Sequence, residues 1–148
     1  MPWTISPEFE FLEQTPQPSD YRRLRAAVGW ADLDSAATEA GLANSLFSIC
    51  VRWHGEVVAC GRVIGDGAIY FYIQDIIVLP RFQGMGLGRA IMDRVMQFIR
   101  GHAVENSFIG LMAAKDVAGF YEHYGFHRRP ADRPGMYMMW TGMKAESP

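Results

Sequence analysis

The stretch RFQGMGLGRAIM, residues 81–92, places glycines at every second position, at Gly84, Gly86 and Gly88. Glycine at this density weakens both strands and helices, so a chain that keeps it there gains something else. The glycines follow an apolar run that ends at Pro80, and they precede a segment with helical periodicity. Such a turn brings bare backbone close to a ligand. We therefore expect a binding loop between a strand and a helix.

Three glycine patterns place a phosphate at a helix N-terminus, and one of them fits. The dinucleotide pattern G-x-G-x-x-G and the phosphate loop G-x-x-x-x-G-K both fail at Arg89. The pattern Q/R-x-x-G-x-G/A is met by Gln83, Gly86 and Gly88. The unpaired N–H groups and partial positive charge of a helix N-terminus attract phosphate, and Arg89 would add charge. The loop predicts a pyrophosphate ligand; a glycine-rich turn without a ligand is the alternative.

The periodicity of the apolar residues predicts an α+β chain with one domain over residues 1–148. Alternating or continuous apolar runs indicate strands, and apolar residues at helical spacing indicate helices. The expected strands are 4–15, 46–53, 56–64, 68–79, 107–114 and 136–143, and the expected helices are 20–31, 34–45, 87–100 and 117–124.

Composition excludes several classes of function. The net charge is −2 and no basic run occurs, which argues against a nucleic-acid partner. No apolar stretch reaches the length of a membrane span, and no signal-like start is visible, so we expect a cytoplasmic protein with no membrane partner. Cys50 and Cys60 read as small apolar strand residues, and no Cys/His cluster has the spacing of a metal site.

The loop and its surroundings resemble the GCN5-related N-acetyltransferase (GNAT) superfamily. The similarity is carried by the strand ending IIVLP at residues 76–80, by the glycine loop, and by GFYEHYGF at residues 119–126. The resemblance implies a single-domain fold with a mixed, mostly antiparallel sheet, a splayed central strand and about four flanking helices. It also implies acetyl-CoA as the donor and an amine as the acceptor.

The resemblance assigns roles to residues of the central strand. The backbone of Val78 would bind the pantetheine arm, and the N–H of Ile76 would point at the thioester oxygen. A backbone N–H aimed at developing negative charge stabilises the transition state. The phenol of Tyr121 would return a proton to the leaving thiolate, because its pKa suits a general acid.

The general base is not evident in the sequence. The strand positions where many members of the family carry Glu or His are Tyr72 and Gln74, which are poor bases and could instead order a water chain. An acceptor amine of low pKa would also remove the need for a base. Asp75 is the nearest carboxylate, but strand alternation points it to the other face unless a bulge re-aims it. Ala114 stands where many members have an Asn that contacts the cofactor.

The acceptor pocket is expected to be aromatic and poor in acid. Trp30, Tyr72 and Tyr137 are the candidate lining residues, which favours a small-molecule amine over a polycation. A non-catalytic acyl-CoA sensor with the same fold is the alternative function. Dimers are common in the family, so a homodimer is expected as one arrangement, with residues 136–143 joining a partner's sheet.

Overall fold

The computed structural model of the chain describes residues 4–141. Its strands are β1 Phe9–Leu12, β2 Phe47–Trp53, β3 Glu56–Gly65, β4 Tyr70–Val78 and β5 Phe108–Gly110. Its helices are α1 Pro18–Ala27, α2 Ser35–Ala43, α3 Leu87–His102 and α4 Ala118–Glu122, with a 3-10 turn at Pro80–Phe82. The α+β class is confirmed. The first strand is shorter than the predicted 4–15.

The sheet has the order β1-β2-β3-β4-β5. The first three pairings are antiparallel, and β4 pairs with β5 in parallel. That parallel pairing covers only Tyr70–Tyr72 against Phe108–Gly110, while β4 stays paired with β3 as far as Val78. Among the described strands, β4 and β5 therefore part after Tyr72, which confirms the splayed central strand.

A tight hairpin turn joins β2 to β3. His54 and Gly55 have φ of 50° and 81°, the positive values that a two-residue turn of this type requires. A register shift between Val51 and Arg52 then brings Cys50 opposite Cys60 across the two strands. Both cysteines are buried free thiols, as the sequence predicts.

The core lies between α3 and the sheet. Helix α3 buries Leu87, Ile91, Met92, Val95 and Ile99 and packs on β3 and β4. These apolar residues recur at helical spacing, so one face of α3 is apolar along its whole length. Burial of this face fixes the N-terminus of α3, where the glycine loop lies.

The chain divides into two compact units, Met1–Met112 and Ala113–Pro148. The first holds the sheet, α1, α2 and α3. The second holds α4, which ends in a Schellman motif: the N–H of Phe126 donates to the carbonyl of Tyr121, and the N–H of Gly125 to that of Glu122. Gly125 has φ of 95°, which explains its place after the helix. The single domain over 1–148 stays a prediction.

The predicted last strand is wrong over the residues that the structure describes. Residues 136–141 form no strand, while residues 142 and 143 lie outside the described part. Met136 to Trp140 are all highly exposed. A β-prone sequence needs a neighbouring strand to pair with, and its composition alone does not supply one.

A membrane span needs a helix of about 20 predominantly apolar residues, and the helices of residues 4–141 fall short of this. None of them is both long enough and apolar enough to cross a bilayer.

Candidate active site

A β-bulge interrupts the central strand at the residues that the resemblance assigns to the thioester. Cys60 faces Ile77 and Arg62 faces Gln74, so two residues of β4, Asp75 and Ile76, oppose one residue of β3. Asp75 has φ of 59°, the left-handed conformation that a non-glycine residue rarely adopts. A bulge re-aims side chains and backbone groups locally. The structure therefore places an irregular backbone where Ile76 is predicted to act.

Gly61 is the residue of β3 that lies opposite this bulge. A β-carbon at Gly61 would lie 2.7 Å from Cδ1 of Ile76 and 2.6 Å from Cγ2 of Ile91. Contacts this short do not occur between carbon atoms, so any larger residue would displace one of its neighbours. Glycine at position 61 therefore leaves room for the side chains of Ile76 and Ile91.

The carboxylate of Asp75 lies in a buried network. Its Oδ2 accepts a 2.7 Å hydrogen bond from the hydroxyl of Tyr21 and another of 2.7 Å from Nε of Arg62. Its Oδ1 accepts from the amide of Gln74 at 3.2 Å and lies 3.8 Å from Nη1 of Arg25. Asp75 is 3% exposed. Because both oxygens are engaged, the structure favours the structural role over a direct base.

The glycine loop leaves space around the N-terminus of α3. Gly84 and Gly86 have φ of 80° and 87°, and Gly86 is the N-cap residue of the helix. Gly86 has no side chain to bond the first N–H groups of α3. A β-carbon at Gly84 or Gly88 would meet no described atom within 4 Å. Bare N–H groups in open space fit a pyrophosphate, so the residues present suit coenzyme A.

Gln83 joins this loop to the central strand. Its Nε2 donates a 3.0 Å hydrogen bond to the carbonyl of Val78, five residues earlier. A carbonyl oxygen has two lone pairs, so Val78 can still accept a second bond. The side chain of Gln83 therefore fixes the strand end that is predicted to bind pantetheine. Arg89 lies in the first turn of α3, as predicted.

Tyr72 is the last residue of β4 that pairs with β5, across from Gly110. Its hydroxyl oxygen is buried and has no hydrogen-bond partner within residues 4–141. Burial raises the pKa of this phenol, so it stays protonated and is not a base near neutral pH. A buried hydroxyl without a partner is costly, and a bound ligand would satisfy it.

Tyr121 belongs to the second unit. It lies on α4, where its ring meets the rings of Phe120 and Phe126 at centroid distances of 5.1 and 6.4 Å. Burial raises the pKa of its phenol, which keeps the proton that a general acid needs. Its catalytic role stays a prediction.

The predicted acceptor residues lie in different surroundings. Trp30 is half-buried after α1, with the guanidinium of Arg25 5.4 Å from its ring centroid. Tyr137 lies in the second unit and is 75% exposed. Gln74 donates to Asp75 through its Nε2, and its predicted role in ordering water stays a prediction. No cluster of three or more potential metal ligands occurs among residues 4–141.

Comparisons with known proteins agree with this geometry. The model of the acetyltransferase (GNAT) domain matches residues 44–128. The chain is 43% identical over 82 residues to serotonin N-acetyltransferase 2, chloroplastic, of Oryza sativa subsp. japonica, covering 55% of this chain and 40% of the relative. It is 34% identical over 113 residues to GCN5-related N-acetyltransferase 1, chloroplastic, of Arabidopsis thaliana, covering 75% and 56%. The chain thus spans about half the length of these relatives.

A solved structure extends the likeness to the whole fold. A Staphylococcus aureus protein of unknown function, described as a probable acetyltransferase, superposes with a TM-score of 0.84 at 33% identity. The match covers 89% of this chain and 99% of the other. Family model, relatives and fold agree, and the chain belongs to the GCN5-related N-acetyltransferase family.

Proposed function

We propose that this protein is an acetyl-CoA-dependent N-acetyltransferase that acetylates the primary amine of a small molecule. The amine would attack the thioester directly, in a ternary complex. One observation carries the proposal: the bulge at Asp75 and Ile76 is followed by a glycine loop, beginning at Gly84, that opens the N-terminus of α3. Membership of the GNAT family supports acetyl transfer, and the donor, the acceptor and the mechanism are our inference.

The donor would be held by backbone groups more than by side chains. The N–H groups after Gly86 would bind the pyrophosphate, with Arg89 adding positive charge. Val78, whose carbonyl is fixed by Gln83, would bind the pantetheine arm. When bound, acetyl-CoA supplies the activated acetyl group. Coenzyme specificity then follows from the shape of the backbone between Val78 and Gly88.

The N–H of Ile76 would donate a hydrogen bond to the thioester carbonyl oxygen. That oxygen gains negative charge as the amine attacks, and a preorganised donor stabilises the charge at little reorganisation cost. The apolar side chain of Ile76 is compatible with this role, since the backbone does the work. The phenol of Tyr121 would give its proton to the leaving thiolate.

The proton of the acceptor amine would leave through water. Tyr72 holds a protonated hydroxyl without a partner in the described part of the chain, which suits it to hydrogen-bond the amine or a water beside it. This half of the reaction needs a neutral amine. We therefore expect the transfer rate to rise with pH as the amine loses its proton.

The acceptor would be a small amine, with arylalkyl amines first. The aromatic candidates Trp30 and Tyr72 support this, as does the 43% identity to a rice protein named for serotonin. The test is thiol release from acetyl-CoA with a panel of serotonin, tryptamine, spermidine, glucosamine 6-phosphate and a histone-tail peptide. The highest kcat/KM is expected for the arylalkyl amines; preference for the peptide would overturn the acceptor class.

A non-catalytic acyl-CoA sensor is the second candidate. It is favoured by the lack of a carboxylate at Tyr72 and Gln74, the positions where the family resemblance leads us to expect a base. A rise in Tm with acetyl-CoA, combined with no acetylation of any amine in the panel, would establish this function instead. The cytoplasmic location and the homodimer stay predictions. Two plant relatives are named as chloroplastic.

A further inference from the structure

The strained residue of the central strand, Asp75, is held by three side chains that come from other elements. Its φ of 59° is unfavourable for a residue with a β-carbon, and such a conformation persists where the surroundings over-determine it. Tyr21 on α1 and Arg62 on β3 each bond Oδ2 at 2.7 Å. Arg25, one turn after Tyr21 on α1, adds a charge 3.8 Å from Oδ1. We call these three residues and Asp75 the bulge clamp.

The bulge clamp acts on one particular peptide unit. The carbonyl of Asp75 and the N–H of Ile76 belong to the same planar peptide, in which they point in opposite directions. The thiol of Cys60 donates to that carbonyl at a Sγ–O distance of 3.3 Å. The N–H of Ile76 therefore points away from Cys60. Fixing the carboxylate and the carbonyl of Asp75 fixes the direction of this N–H.

We propose that Asp75 is a positioning residue for acetyl transfer: the bulge clamp holds the Ile76 N–H in the orientation that polarises the thioester. This inference rests on the proposed function for its chemistry. Asp75 touches neither donor nor acceptor in this role, because its carboxylate is buried against α1 and β3. Its contribution reaches the reaction through the peptide that follows it.

The clamp also ties the N-terminal helices to the catalytic strand. The guanidinium of Arg62 donates to the hydroxyl of Ser45 at 3.2 Å and to the carbonyl of Gly41 at 3.3 Å, at the end of α2. Arg25 donates to the carbonyl of Ala31 at 2.9 Å, just after α1. A shift of either helix would thus disturb the carboxylate of Asp75. The helices expected to line the acceptor pocket therefore affect the orientation of the Ile76 N–H.

The test compares Asp75→Asn and Tyr21→Phe with a matched control, Thr38→Val. Thr38 is buried on α2, where its hydroxyl donates to the carbonyl of Asp34 at 2.7 Å, outside the bulge clamp. Loss of this hydrogen bond should lower Tm without changing the orientation of the Ile76 N–H. For each variant we would measure kcat, the Kd of coenzyme A, Tm, and the amide resonance of Ile76 with and without acetyl-CoA.

The expected result is a loss in kcat with little loss in donor binding. Loss of a whole oxyanion donor costs about 100- to 1000-fold, so a misaligned donor should cost about 100-fold in Asp75→Asn and about 10-fold in Tyr21→Phe. The Kd of coenzyme A should stay within about twofold, because its binding groups are untouched. The shift of the Ile76 amide on adding acetyl-CoA should shrink in both variants and persist in Thr38→Val.

Three results would overturn the inference: an unchanged kcat in both variants, a Kd that rises in step with the loss of kcat, or an equal kcat loss in Thr38→Val. If Asp75→Asn fails to fold, Tyr21→Phe decides alone, since it keeps the Arg62–Asp75 ion pair. If the wild-type protein acetylates no amine, the proposed function fails separately. The Ile76 amide then decides the inference: an acetyl-CoA shift that Tyr21→Phe reduces supports it, and an equal shift in both proteins ends it.

Discussion

The hydroxyl of Tyr21 donates a 2.7 Å hydrogen bond to the carboxylate of Asp75, although 54 positions separate the two residues. Both are buried, with 3% of each residue exposed. The bond joins the first helix to the bulge in the central strand. An element outside the family match at residues 44–128 is thereby attached to the residues with the most direct predicted role in acetyl transfer.

Replacing Tyr21 by Phe should lower the free energy of unfolding by about 1.5–3 kcal/mol, the range for a buried hydrogen bond to a charged group. Urea denaturation at neutral pH measures it. Arg62 remains bound to the carboxylate, so the variant should still fold. A loss below about 0.5 kcal/mol, the usual size for a surface substitution, would mean that the bond adds little to stability.

The same pair makes stability depend on pH at the alkaline end. Burial, and then the charge of Asp75, raises the pKa of Tyr21 above its ordinary value of about 10. The group contributes its full stability below pH 10 and loses it as the pH rises from there through the folded value. The difference in unfolding free energy between wild type and Tyr21→Phe should therefore shrink above pH 10. If this free-energy difference grew above pH 10, the pKa of Tyr21 would not be raised in the folded protein.

Cys50 and Cys60 should not react with a disulfide reagent in the native protein at pH 8. Burial raises the pKa of Cys50 to about 11, and raises that of Cys60 well above its usual range. The thiolate is the reactive form, so both thiols are inert until the strands separate. Ellman's reagent should label both residues in denaturing guanidinium and neither in buffer. Fast labelling in buffer would show that β2 and β3 separate readily. If neither cysteine is labelled in buffer, the protein's own thiols add no background to the thiol-release assay.

Much of this fold could be predicted from sequence, because local patterns determine it. The apolar periodicity of each strand or helix, and the spacing of the glycines, are each contained in one short stretch of sequence. The splayed strand came from the family resemblance. The bulge clamp was missed, since Tyr21, Arg25 and Arg62 meet Asp75 only through tertiary contacts. One signal was available: Asp75 is the only charged residue of β4, and Arg62 lies in an apolar stretch of the adjacent strand β3, which favours a buried ion pair.

The error at the C-terminus has the opposite cause. Residues 136–143 have strand-like composition, yet residues 136–141 form no strand. Strand formation depends on a pairing edge, which no local pattern reports. Sequence was therefore reliable where local structure decides, and unreliable where a distant partner decides.

Replacing Tyr121 by Phe should lower kcat by about 100- to 10,000-fold, the range for a general acid. The matched control is Tyr124→Phe, on the turn after the same helix, whose ring lies 5.5 Å from that of Phe120; its kcat should stay near wild type. Because burial raises the pKa of Tyr121, the phenol stays protonated to above pH 10. Raising the pH toward 10 should therefore not lower kcat. A wild-type rate in Tyr121→Phe would remove Tyr121 from the mechanism.

Replacing Gly88 by Ala should stabilise the fold and weaken coenzyme A binding at the same time. A β-carbon there meets no described atom within 4 Å. Ala has a helix propensity more favourable than that of Gly by up to about 1 kcal/mol, so Tm should rise. The same carbon would occupy space that we assign to the pyrophosphate, so Kd should rise about tenfold or more. Gly101→Ala, with equal space at the other end of α3, should raise Tm alone. Equal Kd values for both variants, by calorimetry, would place the pyrophosphate elsewhere.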